Sequence, residues 1–137
     1  MRILLVPGEK KPIAVRYLPV KANAKPEEAV TFESPVRSVR FASVKTLSSD
    51  AAQIVFTPTP TGYVCEARLK CDEIALKNAA NELLLRGDIG VLFSNDGGET
   101  TQSRAYLFDH SPGAAITADV PSEAQIRPAE WGEWLLE

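Results

Sequence analysis

The chain has 137 residues, 45% of them hydrophobic and 24% charged, with a formal net charge of −3. That composition excludes wholesale disorder and collagen-like repetition, and basic residues scattered among acidic ones leave no electrostatic footprint for a nucleic-acid backbone. One domain over 1–137 with a real core is expected, since a chain of this length buries roughly two thirds of the surface its unfolded form exposes. Ten prolines and eight glycines favour many turns over a few long helices.

No apolar run approaches bilayer length, and Met1 to Pro7 is too short for the apolar region of a signal peptide. No membrane partner and no classical export are expected, so the compartment reads as cytoplasmic as the sequence stands. The two cysteines, Cys65 and Cys71, describe neither a metal site nor a disulfide framework. On one extended strand they stand about 20 Å apart, beyond disulfide reach. Free thiols are expected, with Cys65 as a small core residue.

In chain order, Arg2 to Val6 is an apolar strand closed by the turn signal Pro7-Gly8. Lys10-Lys11-Pro12 opens a second strand with Ile13, Val15 and Tyr17 on one face and Arg16 on the other. Pro19 to Glu28 is a polar surface loop. Ala29 to Glu33 is a brief strand, and Val36 to Leu47 carries a phase slip that predicts a bulge near Ala42-Ser43. Gln53 to Phe56 is an apolar run, and Thr57 to Gly62, with Pro58 and Pro60, reads as a turn. Tyr63, Cys65, Ala67 and Leu69 then alternate against Val64, Glu66, Arg68 and Lys70, the pattern of a half-buried strand.

Asp72 to Asn81 is the one predicted helix, with Asp72 as its cap. Ile89 to Phe93 reads as a strand buried on both faces, entering the turn Asn95-Asp96-Gly97-Gly98 and returning as Ser103 to Phe108. Pro128 to Leu136 is a last strand. Many short strands with frequent turns predict an all-β, antiparallel β-sandwich with one short helix.

Several of these segments together resemble the family 9 carbohydrate-binding modules and the wider family-9-like (DOMON-like) sandwich domains of bacteria. Gly62-Tyr63-Val64-Cys65-Glu66-Ala67-Arg68-Leu69 resembles the family's Y-x-x-E-A-x-[IL] strand, and Leu85-Arg86-Gly87-Asp88-Ile89-Gly90-Val91-Leu92 its L-R-G-D-[IV]-G-V-L block. Asp119-Val120-Pro121-Ser122-Glu123-Ala124 is similar to D-V-P-S-E-A, and Pro128, Trp131 and Gly132 to the closing P-x-x-W-G. Pro12 to Tyr17 and Phe32 to Val39 fit the weaker first half. The family's opening strands have no counterpart, and a sandwich without them exposes unpaired edges, so a homodimer or higher homo-oligomer is expected.

The resemblance implies a non-catalytic module that holds a sugar, in a family usually found within secreted proteins. Such sites stack aromatic faces on the sugar ring and hydrogen-bond its hydroxyls. The candidates are Trp131 or Trp134, which lie three apart and point to opposite faces of a strand, with Tyr106, Arg104, Asn95 and Gln125. Core packing competes with stacking for both tryptophans. In Arg86-Gly87-Asp88 the expected roles are structural, Gly87 permitting a bend and Asp88 accepting backbone hydrogen bonds. No cofactor is implied; Asn95, Asp96 and Glu99 offer the hard oxygens calcium prefers, and turn formation explains them as well. His110 is the only histidine and no nucleophile elbow is present, so no enzyme is read here. The alternative is a self-associating structural protein that retains the sandwich without a sugar site.

Overall fold

The computed structural model describes residues 1–76, 81–95, 97–111, 121 and 124–136. Its backbone groups into two compact units, Met1–Val30 with Arg40–Ala79, and Thr31–Val39 with Ala80–Glu137. The chain is mainly β, the all-β class that its turn-rich sequence implies.

In the first unit, β1 (Arg2–Val6), β2 (Ile13–Leu18) and β5 (Ser43–Thr46) form an antiparallel three-stranded sheet in the order β1-β2-β5. Gly8 makes the β1–β2 turn possible: its φ is +65°, and a Cβ there would lie 2.3 Å from the Lys11 carbonyl oxygen. The core cluster is Ala14, Leu47 and Ala51, with Ile3, Leu5, Ala52 and Ile54 packed against it. Ala14 shares the strand face of Arg16, so that face is apolar too. Arg16 is accommodated by pairing with the Glu73 carboxylate and donating 3.0 Å to the Glu73 carbonyl. Phe41, 1% exposed, meets the Tyr17 ring edge-on at 5.4 Å.

The paired strands β3 (Val30–Glu33) and β4 (Ser38–Phe41) are joined by a turn in which the Ser34 hydroxyl accepts the amides of Val36 and Arg37. The chain breaks between β4 and β5 at Ala42, whose amide bonds the Leu18 carbonyl; the two strands belong to different sheets, so the expected bulge in one strand is corrected to a change of sheet at that point. Pro26–Glu28, within the expected loop, forms a 3₁₀ turn.

β6 (Ala52–Thr59) and β7 (Gly62–Leu69) form a hairpin turning through Pro60-Thr61 alone. The reading of Thr57 to Gly62 as turn is therefore corrected. The Lys70 amide bonds the Ala51 carbonyl at 2.9 Å, which fixes the ladder's phase. Pro58 faces Tyr63 in a non-hydrogen-bonded pair, so its missing N–H removes nothing from the hairpin. β7 is exposed along nearly its whole length and Cys65 with it, so the half-buried strand and the core cysteine are corrected as well. The alternation itself is present, because register places Tyr63, Cys65, Ala67 and Leu69 beside Pro58, Phe56, Ile54 and Ala52. Both cysteines are free.

The expected helix begins as a 3₁₀ turn, Cys71–Ile74, capped by Lys70 without a side-chain bond, and Ala75 at φ 59° ends it. Asp72 lies inside the turn and is not its cap. Positions 77–80 of that expectation lie outside the described residues.

In the second unit, β8 (Leu84–Gly87) pairs antiparallel with β11 (Gly132–Leu135), and β9 (Gly90–Ser94) with β10 (Thr101–Tyr106). The first part of the expected last strand, Pro128–Glu130, is a 3₁₀ turn. Ile89 to Phe93 is not buried on both faces: Ile89 is 60%, Val91 38% and Phe93 49% exposed. The exposed residues share one face, and Leu92 on the other is half-buried.

Phe41→Ala should lower unfolding free energy by about 3–5 kcal/mol, the range for a fully buried phenylalanine. Val36→Ala, at an exposed turn position, should stay within about 0.5 kcal/mol. Urea titrations read at unchanged m-value check both.

Candidate functional site

Two of the blocks that carry the family resemblance, far apart in sequence, become neighbouring strands. Gly87 faces Gly132, Arg86 faces Glu133, Leu85 faces Trp134 and Leu84 faces Leu135. The indole Nε1 of Trp134 donates to the Gly87 carbonyl at 3.0 Å, and an Arg86 guanidinium nitrogen donates to the Trp131 carbonyl at 3.3 Å. Gly132 leaves the space that the Phe108 ring occupies: a Cβ there would lie 2.3 Å from Phe108 Cζ. Phe108 in turn meets Trp134 edge-on, centroids 5.6 Å apart. Gly87 needs no left-handed backbone, and its contribution is its carbonyl rather than a bend.

Asp88 orders the segment where β10 ends. Its Oδ1 accepts the amides of Ile89 at 2.8 Å and Phe108 at 3.0 Å, and its Oδ2 accepts that of Asp109 at 2.9 Å. The expected role as backbone acceptor is observed, across twenty-one residues. Asp109 continues the network by accepting the Ser111 amide and hydroxyl, while Arg127 donates to the Ser111 hydroxyl at 2.8 Å and pairs with Asp109 at 3.4 Å. Burial of the Asp109 carboxylate works against its charge, but the Ser111 hydroxyl and amide and the Arg127 guanidinium outweigh it. The carboxyl is held below its ordinary value.

All six sequence candidates lie in this second unit, on different parts of it. Trp131 and Trp134 are half-buried, Trp134 within β11 and Trp131 at the end of the 3₁₀ turn that precedes it. Trp134 is occupied by Gly87 and Phe108. Asn95 caps its own loop, its Oδ1 accepting the amides of Glu99 at 2.8 Å and Thr100 at 3.2 Å. The Gln125 carbonyl oxygen accepts from Arg37. Arg104 and Tyr106, two apart on β10, share one strand face opposite Leu92 and Gly90, and both are partly exposed. Tyr106 fills the place of a Gly90 side chain, where a Cβ would lie 2.3 Å from its Cδ1.

Phe108 and Asp88 complete this arrangement, and sequence reading nominated neither as a site residue. Phe108 stands two residues beyond Tyr106, in the bend that follows β10, and no strand period marks it. Arg104 and Tyr106 share a strand face, and Phe108, in the bend, lies over Gly132 and against Trp134.

Among the described residues no cluster of three or more metal-ligating side chains occurs. Asp96 of the calcium expectation lies outside them, as do Asp119 and Glu123, whereas Pro121 and Ala124 of the same block are buried. No helix among the described residues is long and apolar enough to cross a membrane. These features define a mainly antiparallel β protein with partly exposed aromatic rings held by glycines and one carboxylate. Compared with protein-family models, curated proteins and solved structures, the chain matches none.

Asp88→Ala leaves three amides without their acceptor and should cost about 2 kcal/mol by urea unfolding, with Asp88→Asn losing less. For Asp109, a folded-state value below the ordinary 3.8 means that its stabilisation is present above pH 3.8 and lost as pH falls through the lowered value. The stability gap between the unaltered chain and Asp109→Asn should be full at neutral pH and close on acidification below that point.

Proposed function

We propose that the chain is a non-catalytic carbohydrate-binding module whose sugar face comprises Arg104, Tyr106 and Phe108. The carrying observation is that Arg104 and Tyr106, alone among the six candidates, share a strand face two residues apart, with Phe108 in the bend that follows. A tyrosine and a phenylalanine supply apolar ring surface for the C–H face of a pyranose, and a guanidinium supplies donors for its hydroxyls.

Two further points support the reading. The blocks resembling family-9-like modules meet as adjacent strands and bond to each other through Trp134 and Gly87. Tyr106 and Phe108 rest on glycines, so their side chains lose little freedom on binding. Arg104 and Tyr106 are half-buried and Phe108 is 37% exposed, which favours a short glycan segment held weakly.

Calorimetric or NMR titration with xylose, glucose, xylan and cellulose oligosaccharides tests this. Saturable binding is expected for at least one oligosaccharide. Arg104→Gln should weaken it by about tenfold, equal to roughly 1.4 kcal/mol, while leaving the far-ultraviolet spectrum unchanged. Absence of binding across the panel, or binding untouched by Arg104→Gln and Tyr106→Ala, would overturn the proposal.

A further inference from the structure

The β6–β7 hairpin carries an apolar face that its own unit covers only at the base. Ala52, Ile54, Phe56 and Leu69 are partly buried, with Ala52 and Ile54 against the core cluster. Towards the tip, Tyr63, 51% exposed, packs edge-on against Phe56 at 5.5 Å, and Cys65 and Ala67 are exposed. The opposite face is mixed, Gln53, Thr57, Glu66 and Arg68 standing among the exposed Val55 and Val64, whereas the face of Phe56 and Tyr63 is apolar and half uncovered.

The two edges of this hairpin differ. The Lys70-to-Ala51 bond sets the amides of Val64, Glu66 and Arg68 towards β6. Those of Tyr63, Cys65, Ala67 and Leu69 consequently point outward, and among the described residues β7 pairs with β6 alone. On β6 the outward position opposite Tyr63 is Pro58, which has no N–H to offer. One edge is blunted and the other is open.

We infer that the open edge of β7 pairs antiparallel with β7 of a second copy of this chain, in the register centred on Ala67. In that register Glu66 of each copy lies opposite Arg68 of the other, twice, at non-hydrogen-bonded positions where side chains approach most closely. Cys65 lies opposite Leu69 of the second copy, and Ala67 opposite its counterpart, on the apolar face. A register centred on Glu66 opposes like charges, one centred on Arg68 opposes the two Arg68 and pairs Glu66 only with Lys70, which lies beyond the end of β7, and one centred on Cys65 leaves both charges without a partner. The antiparallel arrangement also sets the exposed tip of each hairpin beside the packed base of the other. This assembly is independent of the sugar face on β10.

The test is sedimentation equilibrium of the full chain over a wide concentration range. A monomer–dimer equilibrium is expected. Glu66→Arg and Arg68→Glu, each placing like charges opposite one another at two positions, should each raise the dissociation constant by about tenfold or more, and the double exchange should restore it. Ala67→Pro removes an outward amide but no β6–β7 bond, so the dimer should be lost while circular dichroism keeps the β signal. Oxidation of the unaltered chain should yield no Cys65-to-Cys65 cross-link, because the two lie four residues out of register, about 13 Å apart. A protein monomeric at all concentrations, a dimer indifferent to the charge reversals, or a Cys65-linked dimer would each overturn the inference.

Discussion

Three backbone amides, from Ile89, Phe108 and Asp109, converge on the carboxylate of Asp88. In the second unit this one side chain takes over where the regular ladders stop, at the junction after β8 and the end of β10. An anion accepting several amides is among the stronger hydrogen-bonding arrangements a partly buried segment can have. Its effect reaches beyond the amides themselves. Holding the Phe108 backbone sets the ring over Gly132 and against Trp134, whose indole N–H then closes on the Gly87 carbonyl. The Arg-Gly-Asp sequence thus has a mechanical reading in all three residues: Arg86 reaches the Trp131 carbonyl, Gly87 offers its own, and Asp88 gathers the amides.

What was legible in the sequence was local. The alternation from Tyr63 to Leu69 follows from the two-residue period of an extended chain, and the hairpin register has it; the phase slip near Ala42 was legible too, although it marks a change of sheet. Burial was not legible. Period two says which side chains share a face, but whether that face is covered depends on which distant strand arrives there, so Cys65 and Val91 read as core and are exposed. Pro58 shows the same limit in reverse. Proline suggests a turn until the hairpin's phase is known, and in this phase its nitrogen faces outward and costs the ladder nothing. Of the expected helix the described part is a single 3₁₀ turn, which Ala75 ends by taking up a left-handed backbone.

The candidate site was half legible for related reasons. Arg104 and Tyr106 were chosen for their chemistry, and strand spacing alone puts them on one face. The glycines beneath the aromatics could not be read in advance, because Gly90 and Gly132 are matched to Tyr106 and Phe108 by cross-strand pairing and by the Asp88 bridge. A ring seated on a glycine is held as much by absent atoms as by present ones. Adding a methyl group at either glycine would put carbon about 2.3 Å from the ring, so ring position and glycine identity are one constraint. The same arrangement that stiffens the second unit fixes its aromatic rings in place, which would reduce the ordering that the proposed sugar has to impose.

An open strand edge is ordinarily a hazard, because a second chain added to it presents a fresh edge for a third. The β6–β7 hairpin does not have that property. Its β6 edge carries Pro58 at an outward position, with Pro60 in the turn that follows, and offers an interrupted row of donors. Its β7 edge offers an unbroken row from Tyr63 to Leu69. Two copies joined through β7 have then used both open edges and present only proline-blunted ones, so pairing stops at four strands. The Glu66 and Arg68 pattern imposes the same closure, since each charge meets its opposite only around a two-fold axis through Ala67. Edge chemistry and charge order therefore favour a finite pair over a growing sheet.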